Sequence, residues 1–166
     1  MEKIWLKHYP SGRPAEINPD EYSSLTDLLH RCCAEFADEA AFTNMGKTLS
    51  YKELGAQTRD FAAWLQDVAR LKRGDRIALM MPNLLQYPVA MLGAMRAGLT
   101  IVNTNPLYTA HELQHQIQDS GAVAIVVLEN FAHVLQQIIS TTAIKTVIVT
   151  GVGDLLGFPK QGIVNF

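Results

Sequence analysis

Residues 76–122 read RIALMMPNLLQYPVAMLGAMRAGLTIVNTNPLYTAHELQHQIQDSGA, and the order of patterns inside them decides the fold. Residues 76–81 form a short apolar run, which predicts a buried strand. Pro82-Asn83 breaks it. Residues 84–97 are apolar on nearly every side, which predicts a buried helix rather than an amphipathic one. Pro88 lies early in that helix and predicts a bend; Gly98 ends it. Residues 99–103 predict the next strand, and Asn105-Pro106 a turn. Thr109 and Glu112 have the spacing of a capping box, so an amphipathic helix starts there and stops at Gly121. Strands alternating with helices require crossover connections, so the stretch predicts βαβ units and a parallel sheet flanked by helices.

The same alternation continues outward. Lys72, Arg73, Gly74 and Asp75 form the turn before the first strand. A long helix to about residue 69 precedes it, opened by a Ser50–Glu53 capping box, with Leu54, Thr58, Phe61, Ala62 and Leu65 facing inward. AFTN-MG-KTLSY (residues 41–51) predicts a short β-hairpin turning at Met45-Gly46. Residues 24–37 predict a helix with Ser24 and Asp27 at its cap and Leu25, Leu28, Leu29, Cys32 and Phe36 on one stripe. On the other side, residues 122–128 are a strand, Asn130 is the expected cap of a helix carrying Phe131, Val134, Leu135, Ile138 and Ile139, and residues 145–150 are a last strand with an open edge. The fold class is therefore α/β: a mostly parallel sheet with flanking helices plus a hairpin near the N-terminus. Pro10, Gly12, Pro14 and Pro19 make residues 1–22 an irregular arm, from which Trp5 and Tyr9 are expected to pack onto the domain. Residues 23–150 form the α/β sub-domain, and 151–166 a loop or truncated element.

Composition narrows the function classes. The 166 residues are 48% hydrophobic and 18% charged, with a formal net charge of -2, ordinary for an α/β domain. No segment is a basic block, which argues against nucleic acid as a partner. Cys32 and Cys33 are adjacent in a helical pattern, where a mutual disulfide is disfavoured. The N-terminal stretch has no apolar signal-peptide core. Residues 77–95 carry no charge, but Pro82, Asn83, Gln86 and Pro88 interrupt them, so a buried strand plus buried helix explains them better than a membrane span.

Three motifs invite a functional reading. His111-Glu112-Leu113-Gln114-His115 is an H-E-x-x-H, which on a helix places two imidazoles on one face for Zn²⁺. A third ligand is still needed, Gln118 and Gly121 occupy the places of the extended motif, and Glu112 already has a capping role. Gly151-x-Gly153-x-x-x-Gly157 follows a strand as a dinucleotide fingerprint does, but its third glycine is displaced and Pro159 and Gly162 truncate any helix; a flexible loop is the plainer reading. The third is the pair of loops after adjacent strands, holding Asn83 and, further on, Asn103, Asn105 and Tyr108. Ligands collect at this edge of open parallel sheets, which makes these four the substrate-binding candidates. Turn chemistry uses the same residues: Asn83 as a helix cap, Asn105-Pro106 as a turn initiator.

The chain resembles the N-terminal part of bacterial long-chain fatty acid–CoA ligases, members of the acyl-adenylate-forming superfamily. The resemblance runs through Ile4-Trp5-Leu6, Ile17-Asn18-Pro19, Leu49-Ser50-Tyr51-Lys52-Glu53-Leu54, Gly74-Asp75-Arg76-Ile77-Ala78-Leu79-Met80-Met81-Pro82-Asn83, Val102-Asn103-Thr104-Asn105-Pro106-Leu107-Tyr108-Thr109 and Asn130-Phe131-Ala132-His133. It implies activation of a fatty acid by Mg·ATP to an acyl-adenylate and pyrophosphate, then attack by coenzyme A. It also implies a cytoplasmic enzyme, peripheral on the inner membrane face, with a homodimer and the remainder of the same polypeptide among its partners. The family's phosphate loop, Thr-Glu segment, ribose-binding Asp and mobile-domain Lys have no counterpart within residues 1–166. No catalytic, cofactor-binding or metal residue is thus carried over, and the chain is expected to be inactive and to bind no cofactor alone. Two alternatives are a stand-alone acyl-chain or partner-binding module, which needs the helix 84–97 exposed, and a zinc hydrolase built on His111 and His115.

Overall fold

Strands that are apolar without alternation must be buried on both faces, and the two most apolar runs do occupy the middle of the sheet. The computed structural model describes residues 3–165. In it β3 (Arg76–Met80) is buried at every position after the first, and β5 (Ala124–Leu128) throughout. They pair in parallel, Ile77 opposite Ala124. β4 (Thr100–Asn103) flanks β3 and β6 (Thr146–Thr150) flanks β5, both in parallel, giving the order β4-β3-β5-β6. A separate antiparallel hairpin joins β1 (Ala40–Asn44) to β2 (Lys47–Ser50). Met45 (φ 49°) and Gly46 (φ 71°) both take the left-handed backbone that a two-residue hairpin turn requires.

Successive strand residues point to opposite faces, which splits the core in two. Ile77, Leu79, Val126 and Leu128 meet Ala62 and Leu65 of α2 (Tyr51–Asp67) and Ala90 and Ala94 of α3 (Gln86–Arg96). Ala78, Met80, Ile125 and Val127 meet Leu113 and Ile117 of α4 (Ala110–Ser120) and Leu135 and Ile138 of α5 (Ala132–Ile138). A third cluster, Leu29, Leu49, Leu54, Leu85 and Leu156, seats α1 (Leu25–Glu35) and the hairpin outside the α2–α3 layer. No residue of α3 is exposed, as its all-round apolar sequence predicts. No helix of the described residues is long and apolar enough to cross a membrane.

Several local expectations are corrected. Asn83 does not cap α3; the residue at the cap is Leu85, with no side-chain bond. Pro88 is the third residue of α3, where its missing N–H has no intrahelical partner to lose, so it gives no cause for a bend. Asn130 sits in a 3₁₀ turn (Glu129–Phe131), and Phe131 occupies the cap of α5 without a side-chain bond. Residues Ile4–His8 form a 3₁₀ turn with no buried residue, and Trp5 and Tyr9 are about half exposed rather than packed. Residues 151–165 fold back onto the domain: Leu156 is buried, and a short α6 (Lys160–Val164) leads to Asn165, which accepts from the Gly153 amide at 2.6 Å.

Both capping boxes form. The Glu53 carboxylate accepts from the Ser50 amide at 2.8 Å, and Glu112 from the Thr109 amide at 2.8 Å. These backbone bonds, seconded by the hydroxyls, hold both carboxyls below the usual glutamate range. A carboxyl whose pKa is lowered by folding stabilises fully above its ordinary value and loses that contribution as pH falls through the lowered value. The Glu53→Gln/Glu112→Gln double variant keeps an amide able to cap but no charge. Its melting temperature is expected to fall less than the parent's between neutral and acid pH. Superimposable acid limbs in thermal melts would show that the boxes add no acid sensitivity.

Candidate functional site

In a parallel sheet the loops leaving the C-terminal ends of the strands share one edge, and here that edge carries a polar rim over an apolar floor. β3 delivers Pro82 and Asn83; β4 delivers residues 104–109. Between the hairpin and the start of α3 lies an open groove of about 340 Å³. Phe42, Leu85, Pro88 and Met91 supply its apolar wall, and Asn83 and Tyr87 its polar one. The Tyr87 hydroxyl donates to Asn103 Oδ1 at 2.8 Å, tying α3 to the end of β4. From the opposite face, Gln116 Nε2 of α4 donates to the Asn103 carbonyl at 3.0 Å. The Asn83 carbonyl accepts from Asn44 Nδ2 at 3.2 Å, which fixes the hairpin to the same loop.

The fold thus places Asn83 beside Tyr87 on the groove, ties Asn103 to the Tyr87 hydroxyl, and gives the other two candidates local partners. Asn105 Oδ1 accepts from the Leu107 amide at 3.0 Å, an Asx turn, and its carbonyl accepts from the Tyr108 amide. Tyr108 is half-buried against the Ala78–Leu113–Ile117 cluster. Tyr87 and Gln86 are the residues that motif reading missed. Their signal was present: a polar group inside an apolar helix has to find a partner. Gln86, nearly buried, donates through Nε2 to the Gly151 carbonyl at 2.7 Å and locks the α3 start to the loop after β6.

The remaining motifs fill local roles. His111 and His115 are exposed on α4, and Glu112 is committed to Thr109. Among the described residues no group of three or more His, Cys, Asp or Glu is placed to hold a metal ion. The glycine run after β6 is already filled. Asp154 accepts from the Gly151 amide at 2.8 Å and from Thr150 Oγ1 at 2.9 Å. A Cβ at Gly151 would lie 2.7 Å from Asn165 Nδ2. The Gly151 and Gly153 amides are both taken. Cys32 and Cys33 are free thiols, and burial pushes the Cys33 thiol up, away from the reactive thiolate. The groove itself is lined by no carboxylate, imidazole, thiol or cation. It can seat an apolar group and offer neutral hydrogen bonds, but it holds no general acid or base of ordinary strength.

The model of the family described as AMP-binding enzyme matches residues 29–165. A long-chain-fatty-acid–CoA ligase of Escherichia coli O6:H1 is 53% identical over all 166 residues, which make up 30% of that relative's length. The ligase of the same description from Haemophilus influenzae is 51% identical over the same span, again 30% of its length. The crystal structure of a long-chain-fatty-acid–CoA ligase from Archaeoglobus fulgidus superposes with a TM-score of 0.74 at 22% identity, over 94% of this chain and 32% of that one. The chain spans about a third of the length of these three relatives.

Proposed function

The chain belongs to the AMP-binding enzyme family, and we propose that it is the N-terminal part of a long-chain fatty acid–CoA ligase, working only together with the remaining polypeptide. The observation that carries this is 53% identity across the whole chain to a protein about three times its length. The reaction is fatty acid plus ATP to acyl-adenylate and pyrophosphate, then transfer to coenzyme A with release of AMP. Clamping the transferring phosphates calls for cations such as Lys and Mg²⁺ at the reacting atoms, and the groove offers none. ATP, Mg²⁺ and coenzyme A are therefore assigned to the whole enzyme, and the chain alone binds none of them and is inactive. Its contribution is a rigid wall: Asn83 beside Tyr87, and Asn103 bonded to it, present neutral hydrogen-bonding groups along the substrate side, with Asn105 and Tyr108 shaping the loop between them. The proposed organisation is an arm over 1–22, a sub-domain over 23–150 and a loop or truncated element over 151–166. A cytoplasmic homodimer in peripheral contact with the inner membrane face completes the proposal.

The stand-alone binding module requires residues 84–97 to be exposed, and α3 is covered along its length.

ATP–pyrophosphate exchange with a long-chain fatty acid tests the reading in two arms. The chain alone is expected to show none. A chimera in which these residues replace the matching segment of the Escherichia coli ligase is expected to form acyl-CoA. Exchange by the chain alone overturns its inactivity, and a folded but inactive chimera overturns the assignment to a ligase.

A further inference from the structure

The two outer strands of the sheet are each held by a ladder on one side: among the described residues β4 pairs with β3 alone and β6 with β5 alone. Their ladders stop at Asn103, opposite Leu79, and at Thr150, opposite Leu128. Beyond those residues the sheet itself does not fix how far apart the two ends lie, and the strand spacing puts them about 14 Å apart. The first turn of α3 takes hold of both. Tyr87 donates to Asn103 Oδ1 at 2.8 Å, on the last paired residue of β4. Gln86, the residue before it, donates through Nε2 to the Gly151 carbonyl at 2.7 Å and to the Val152 carbonyl at 3.3 Å, directly past the end of β6. Gln86 is 8% exposed. A buried amide costs free energy unless its polar groups are met, and methionine would fill the same length without that cost. What glutamine adds there is the bond.

We infer that Gln86 and Tyr87 are a pair of positioning residues, one strut across the C-terminal edge that sets the distance between the loop after β4 and the loop after β6. Both bonds spring from neighbouring residues of a single helical turn. An outward movement of either loop must therefore break its bond or pull the helix, and with it the other loop. Tyr87 lines the groove and Gln86 does not, so Gln86 acts through the frame and not on the substrate. What the edge positions rests on the ligase reading proposed above; the strut itself does not.

Gln86→Met keeps length and bulk and removes the donor; Tyr87→Phe removes only the hydroxyl. Amide hydrogen exchange on the chain reads the coupling without any activity. Each variant is expected to speed exchange on the far side of the edge as well as the near one, by about tenfold, the size of one net hydrogen bond. For Gln86→Met the far reporter is Thr104, whose amide donates to the Leu79 carbonyl. For Tyr87→Phe it is Gly153, whose amide donates to Asn165 Oδ1. Loosening confined to the near loop overturns the strut. In the chimera each variant should lower kcat for acyl-CoA formation about tenfold or more, at a folded fraction matched by circular dichroism. The double variant should fall no further than about twofold below the worse single one, because a strut cut at one end has little left to lose at the other. Parent-like kcat, or losses that multiply, overturn the positioning role. An inactive parent chimera overturns the ligase reading instead, and the exchange result then decides the strut by itself.

Discussion

Leu65→Ala is expected to lower the unfolding free energy by about 3–4 kcal/mol, the sum of lost transfer energy and an unfilled cavity. Leu65 is fully buried and packs where α2 crosses the sheet, in one cluster with Ile77, Leu79 and Val126. Its helical neighbours in that cluster include Ala62, Ala90, Ala94 and Ala97. These short side chains have no reach with which to refill the space, so the cost should not fall to the low end of the range for such truncations. Urea unfolding would show the loss as a lower midpoint at unchanged slope. Val68→Ala, three residues on but 63% exposed, should stay within about 0.5 kcal/mol of the parent. A Leu65→Ala loss below about 1 kcal/mol would mean that α2 does not seal this face of the sheet.

The contrast between those two neighbours shows what could be read from the chain and what could not. Leu65 was legible because it belongs to a local pattern, the inward stripe of a helix that opens on a capping box. The Thr109 box, the Gly121 stop and the two central strands were legible for the same reason: each signal lies within a few residues of its consequence. The failures are long-range. An Asn just ahead of an apolar run looks like a cap, but Asn83 lies in a turn whose carbonyl is held by Asn44 from the distant hairpin. Asn130 lies inside a 3₁₀ turn instead of ahead of a first helical turn. Residues 151–165 offered only scattered Gly and Pro. Their order depends on Gln86, on the buried Leu156 and on the Asp154–Asn165 bond. The site divides in the same way. Its loops follow from strand order, whereas the Tyr87–Asn103 bond between helix and strand does not.

Gly93→Leu tests the helix that carries Tyr87, and about 3 kcal/mol or more should be lost. Even the first carbon added at Gly93 would lie 2.8 Å from Phe61 Cδ1 and 3.0 Å from the Thr58 carbonyl oxygen. A ring edge can move; a helix backbone cannot move alone. Gly93→Ala gains about 1 kcal/mol of helix propensity, but its Cβ must turn Phe61 and press the Thr58 carbonyl back by a few tenths of an ångström, so it should end somewhat below the parent. Leucine has no such escape and must push α3 away from α2. That separation breaks the bonds from Arg96 to the Gly55 carbonyl at 3.2 Å and to the buried Thr58 hydroxyl at 2.9 Å. It also displaces Gln86 from Gly151 and Tyr87 from Asn103 at the start of the same helix. In the chimera, acyl-CoA formation should therefore fall even at temperatures where the Leu variant remains folded, while the Ala variant stays active. Parent-like stability for Gly93→Leu would show that the two helices are not in contact at this glycine, and the wall assigned to α3 would lose its support.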